Sequence, residues 1–219
     1  MNVSTFASRP SVVRPFATSH HHAARPHNHH PGCPSTPDIF VHLTNGGNIC
    51  CRLTLIYHYN ATSNSYSRSV HTWSDAVDQG PLKSLGKTQQ VFFVSSDGRF
   101  RYAFGCGACT PGPIQIWQDH LGTLADVTRR FRGLISHDAQ RWRRLYLKQR
   151  TADYGADGLL VAYVADEALL NRSKQAFSFA TQQGQGGYTT QPGSGFSSSQ
   201  QFVSKLRKFL RQLGYLKPS

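Results

Sequence analysis

From Ile39 to Gln118 the chain alternates, imperfectly, between apolar and polar residues in short runs rich in β-branched and aromatic side chains. IFVHLTN, CCRLTLIYHYN, SRSVHTW, QQVFFVSS, RFRYAFG and PIQIWQ read as strands, and Asn45-Gly46-Gly47-Asn48 marks a turn between the first two. Asp97-Gly98, set between two such runs, is a hairpin signal. An antiparallel sheet or sandwich is expected here. The period then changes. LADVTRRFRGLI and HDAQRWRRLYLKQR, within the basic segment 121–150, read as two short helices, and DGLLVAYVA as either a buried strand or a core helix, its length and Val content favouring the strand. Near the end, Phe202, Val203, Leu206, Phe209, Leu210 and Leu213 share one helical face and Lys205, Arg207, Lys208 and Arg211 the other, with Gly214 and Pro218 as a stop.

The fold class expected is therefore α+β. An antiparallel β-rich core is followed by helices, preceded by a disordered arm, and trailed by a tethered amphipathic helix. Its parts are a His/Pro-rich arm over residues 1–38, a globular domain over 39–177, a Gly/Gln/Ser linker over 178–200 and the basic helix over 201–214. The arm, with SHHHAARPHNHHPG at its centre, holds too little apolar surface to offset its ordering entropy. Lacking acids and rich in Arg and Ser, it also suits an organelle transit peptide.

Charge sharpens this picture. The 219 residues carry 24 Lys plus Arg against 11 Asp plus Glu, a formal net charge of +13, and all the acids lie between Asp38 and Glu167. Such a balance favours polyanions or acidic membranes as partners. Five cysteines are an odd number, and no run of about 18 apolar residues occurs. The expectation is an intracellular, reducing compartment, the cytoplasm.

The candidate chemistry is mostly recognition. Arg129, Arg130, Arg132, Arg141, Arg143 and Arg144 cluster in a segment that also holds Trp142. Guanidinium groups pair with phosphate and an exposed indole stacks on unpaired bases, so RNA or another polyanion is the first partner class. The same spacing equally suits a core helix whose inward stripe includes Trp142. Lys205, Arg207, Lys208 and Arg211 extend the basic set, and their helix suits an anionic membrane surface or an acidic protein groove.

No cofactor is called for, but Cys106-Gly107-Ala108-Cys109 has the bite of a structural zinc site, which one of Cys50 and Cys51 and one of His42, His58 and His120 would complete, Cys51 and His58 being the favoured pair. Phosphate-binding glycine loops, G-x-S-x-G and H-E-x-x-H are absent from the sequence. Val41-His42-Leu43-Thr44 has the form of one phosphoesterase half-site, without the second such motif that chemistry needs.

One family resemblance bears on activity. DGLLVAYVADEALLN looks like the hydrophobic strand and acidic turn near the end of picornavirus papain-like leader proteases. GGNICCRLTLIYHY loosely resembles their nucleophile region, and FVSKLRKFLRQLG their basic tail. The resemblance implies Cys50 or Cys51 as nucleophile, His137 as base and Asp153 as its orienting partner. The chain departs from the family where Arg52, not tryptophan, follows Cys51, and where the surrounding residues read as a strand rather than a helix start. The sequence-based expectation is thus a non-enzymatic basic binding protein, a small viral accessory or leader protein in type. A self-releasing cysteine protease and a membrane-surface β-sandwich are the alternatives.

Overall fold

The structure, a computed structural model, describes residues 38–44, 52–73, 82–85, 91–105, 110–151, 156–189 and 196–217. Two antiparallel sheets are followed by four helices, the expected α+β order. The chain divides into two compact units, one of Met1–Val77 with Asp119–Ala125, the other of Asp78–Gln118 with Asp126–Ser219. The expected arm, apart from Asp38, and the whole of the Cys106–Cys109 turn lie outside the described residues.

The first unit is built on a three-stranded antiparallel sheet, β1 (Ile39–Thr44), β2 (Arg52–Asn60) and β3 (Ser65–Trp73), in that spatial order. Asn60 closes the β2–β3 turn with its own side chain, accepting from the N–H groups of Thr62 at 2.9 Å and Ser63 at 3.3 Å. Such side-chain mimicry of a backbone turn is what Asn offers at this place. Register pairs His42 with Thr54 and Thr54 with His71, so these three share one face. On it the Trp73 indole N–H donates to Thr54 Oγ1 at 2.7 Å, and that hydroxyl meets His42 Nδ1 at 2.8 Å. Ile56, Thr54 and Trp73 are buried there.

The second sheet runs β4 (Leu82–Ser84), β5 (Val91–Ser96), β6 (Ile114–His120) and β7 (Thr123–Asp126). β6 and β7 are joined by Leu121 and Gly122, both with positive φ, the backbone of a two-residue type I′ hairpin. The sequence had suggested helix there, because Leu121-Gly122 lacks the usual Asn-Gly signature. The Asp97-Gly98 signal also resolves differently. The Asp97 side chain accepts from the Arg99 N–H at 3.0 Å and caps a single 3-10 turn, Gly98–Phe100, so RFRYAFG forms no strand. A Cβ at Gly112 would sit 2.3 Å from the Asp97 carbonyl oxygen, so only glycine lets these two stretches approach.

The helices are α1 (Arg132–Gln149), α2 (Ala156–Leu169), α3 (Ser173–Gln185) and α4 (Ser199–Gln212). The 121–150 segment thus holds one long helix, not two short ones. DGLLVAYVA is also helix, a correction with a clear cause. Within α2 only Tyr163 and Glu167 are not buried, so it is buried nearly all round and shows no 3.6-residue period to distinguish it from a strand. The expected 178–200 linker is likewise helical in its first part, because α3 buries Phe177, Ala180, Gln183 and Gly184.

α4 forms where the spacing placed it. Ser198 caps it by accepting the Gln201 N–H at 3.2 Å, and Gly214 at φ 79° ends it, with the Tyr215 N–H returning to the Leu210 carbonyl at 2.9 Å. Its apolar face is not free for a membrane or a partner groove. Phe202, Leu206 and Leu210 are fully buried, and Phe202 and Phe209 pack against Phe104, with ring centroids 5.6 Å and 5.4 Å apart. Burying three such side chains contributes about 5–9 kcal/mol, enough to hold the helix on its own unit despite the chain that precedes it.

Candidate polyanion-binding face

The second unit draws its acids inward and leaves its cations outside. Among its described acids Asp97, Asp157 and Asp166 are buried, Asp138 and Glu167 are half-buried, and Asp126 alone is exposed. Of its described lysines and arginines, all but Arg101 and Arg150 are exposed. The surface is therefore more positive than the composition alone indicates.

Burial weakens the negative charge of two of the three buried carboxyls. Asp166 is fully buried, and burial, followed by the nearby Asp138 carboxylate, pushes its pKa well above the usual range. Burial alone raises Asp157 to about 7. Asp97 is different, since it is held by the Arg99 guanidinium and by the Tyr215 hydroxyl, which donates to Oδ2 at 2.9 Å.

The arginines expected to touch phosphate divide into two groups. Arg129 Nη1 donates to the Leu169 carbonyl at 3.1 Å, and its Nη2 to the carbonyls of Tyr215 at 3.3 Å and Gly214 at 3.4 Å. Arg132 Nη2 donates to the Leu170 carbonyl at 3.1 Å. Both clamp orphan carbonyls at helix C-termini, where a cation is also favoured by the dipole. Arg130 donates to Gln118 Oε1 at 2.9 Å. A cleft of about 350 Å³ is lined in part by Arg99, Arg129 and Arg130, but each is committed to these partners and Asp126 stands at its edge. That cleft still holds more guanidinium than carboxylate charge, but its arginines are held against the protein's own acceptors.

α1 offers the better surface. Ile135, Ala139, Trp142 and Tyr146 form its buried stripe, and at the same spacing on the opposite face stand His137, Arg141, Arg144 and Lys148, all exposed. Trp142 is consequently no stacking residue. It is buried and donates its indole N–H to Asp138 Oδ2 at 2.9 Å. Arg141 covers the indole face at 4.3 Å from its centroid and lies 3.7 Å from Asp138 Oδ1. Arg143 points elsewhere, over the Phe179 ring at 5.0 Å. Beside the stripe opens a cleft of about 240 Å³ lined in part by Lys83, Ser95, His137, Asp138 and Arg141. Ser95 Oγ is buried there without a hydrogen-bond partner.

On α4, Lys205 lies over the Phe104 and Phe196 rings at 4.9 Å and 5.1 Å, and Arg207 over Phe177 at 4.2 Å. Lys208 and Arg211 are exposed. The buried acids and carbonyl clamps had no sequence signal, whereas the α1 stripe was present in the spacing of its cations.

Most residues of the other candidate constellations lie outside the described residues. Of the protease candidates, Cys50, Cys51 and Asp153 lie outside the described residues, and His137 stands exposed on α1. Of the zinc candidates, Cys51, Cys106 and Cys109 lie outside them too. His58 meets Asp38 Oδ1 through Nδ1 at 2.7 Å. Among the described residues no group of three or more His, Cys, Asp or Glu has metal-binding geometry, and no helix is long and apolar enough to cross a membrane.

No family model matches the chain and no solved structure matches it. It is 26% identical over 136 residues to a protein of Synechocystis sp. named “Probable thylakoid lumen protein”, a stretch covering 61% of this chain and 40% of that protein. The chain thus spans less than half the length of the curated relative it matches. This likeness overturns the cytoplasmic, reducing compartment inferred from cysteine usage. An odd number of cysteines excludes only complete internal pairing, and carries no weight against a lumen.

Proposed function

We propose that this chain is a non-enzymatic basic binding protein of an organelle lumen that docks on a polyanionic partner through the exposed face of α1. The observation that carries the reading is the segregation of charge. His137, Arg141, Arg144 and Lys148 form one stripe while the second unit's acids are turned inward. The apolar residues of α4 are consumed by the core, so the interaction is electrostatic rather than insertion into a bilayer. The similarity to a lumen protein favours an acidic protein over RNA as the polyanion.

The test is fluorescence anisotropy of a labelled polyglutamate peptide and a labelled single-stranded RNA, each titrated with the full chain across a salt series. Replacing Arg141, Arg144 and Lys148 together by Glu is expected to weaken polyglutamate binding by about ten-fold or more, with affinity falling steeply as salt rises. Undiminished binding by that variant would overturn the assignment to α1. Tighter binding of RNA than of polyglutamate at equal ionic strength would return nucleic acid to first place.

A further inference from the structure

The three-stranded sheet of the first unit wears its apolar residues on the wrong side for a protein that stands alone. Alternation and register place Ile39, Val41 and Leu43 of β1, Leu53, Leu55, Tyr57 and Tyr59 of β2, and Tyr66 and Val70 of β3 on one face. None of these nine is buried. Ile39 and Leu43 are 37% exposed, Tyr66 41% and Val70 54%. The opposite face, which carries Thr54, His42, His71 and Ser69, is the one that buries Ile56 and Trp73. The open face is thus the more apolar of the two, and Arg68 is its one charged residue among those described. A sheet normally buries its apolar side against a second layer, and a contiguous apolar face of this kind marks an interaction surface.

We infer that this face packs against the same face of a second copy of the chain, making a two-layer sandwich from two three-stranded sheets. Charge permits the pairing. The described residues of the first unit hold Arg52 and Arg68 against Asp38 and Asp119, a formal balance of zero, while the chain's excess of cations lies elsewhere. Two such faces meet without the repulsion that a +13 chain would otherwise impose.

Area permits it too. Three strands about 4.8 Å apart, each contributing about 20 Å of length, present a footprint of roughly 300 Å². Upright side chains roughly double that as accessible surface, so two copies remove roughly 1,200 Å², within the range of specific interfaces. A two-fold axis lets one patch serve both partners, and the sheets' own twist sets their strands about 30° apart.

Sedimentation velocity of the full chain at physiological salt, from about 1 to 100 μM, tests this. The expected result is a concentration-dependent monomer–dimer equilibrium that Val70→Lys shifts by about ten-fold or more toward monomer. Val70 is over half exposed, so an unchanged far-UV circular dichroism spectrum will establish that the variant still folds. Leu43→Lys on the first strand should act in the same direction, and Ser67→Lys on the opposite face should not. A wild-type chain that stays monomeric throughout, or a dimer indifferent to both Val70→Lys and Leu43→Lys, would overturn the inference.

Discussion

The two units of this chain solve opposite problems with the same alphabet. The helical unit hides most of its apolar residues and most of its acids and shows the solvent cations. The three-stranded unit is neutral over its described residues and shows the solvent aliphatic side chains. The difference teaches that a net charge of +13 describes neither half. One surface is suited to a polyanion by charge, the other to an apolar partner by shape and area, and they are expected to respond to different perturbations.

The largest effect separates the units by packing. Leu206→Ala opens a cavity in the fully buried core beneath α4 and should cost about 2–5 kcal/mol in urea unfolding. Val70→Ala, on the open sheet face, should fall within about 0.5 kcal/mol for the monomer. Equal losses from the two would erase the distinction between a closed and an open hydrophobic surface.

Next comes the acid turned inward. Asp157 has a pKa of about 7 in the folded chain against an ordinary 3.8, so the native state holds a proton that the unfolded state has released. Its contribution is therefore favourable to folding at low pH and declines as pH climbs from about 4 through about 7. Asp157→Asn removes that penalty. The variant should be more stable than the parent at pH 8.5 by up to about 4 kcal/mol, and the gain should vanish at pH 4. Thermal unfolding at the two values measures it. A variant destabilised equally at both would show that the carboxylate is ionised and satisfied in the native state.

A smaller loss is expected at the Asp97 cap. Tyr215→Phe leaves the Arg99 contact intact and removes one hydrogen bond to a buried carboxylate, which should cost about 1.5–3 kcal/mol. The smallest stability effect belongs to Arg144 and Lys148 of the α1 stripe, whose reversal should change binding and leave the unfolding midpoint nearly untouched, whereas Arg141→Glu also removes the contacts with Trp142 and Asp138.

Legibility in the sequence followed the same divide. β1, β2, β3, β5 and β6 were visible because β-branched and aromatic runs bounded by turn residues have few other solutions. α4 was visible from its period. What α4 met was not, because an amphipathic stripe looks the same whether its cover is a bilayer or Phe104. α2 was misread because burial on every side erases periodicity, and the β6–β7 hairpin because Leu121 adopts a positive φ that its side chain does not advertise. The α1 cations were legible as a cluster. Their division into carbonyl clamps such as Arg129 and Arg132 and outward charges such as Arg144 depends on which carbonyls lie opposite, and those come from residues 38 to 86 positions away. The compartment was misjudged because cysteine number is a weak proxy for location.

The most direct test of the division between units is one sedimentation experiment on the full chain with labelled polyglutamate, run in parallel for two variants. The account predicts that Val70→Lys abolishes self-association and leaves polyglutamate binding intact. Arg141→Glu with Arg144→Glu and Lys148→Glu should do the reverse. If either variant moves both signals together, the apolar face and the cationic face are parts of one surface and the account is wrong.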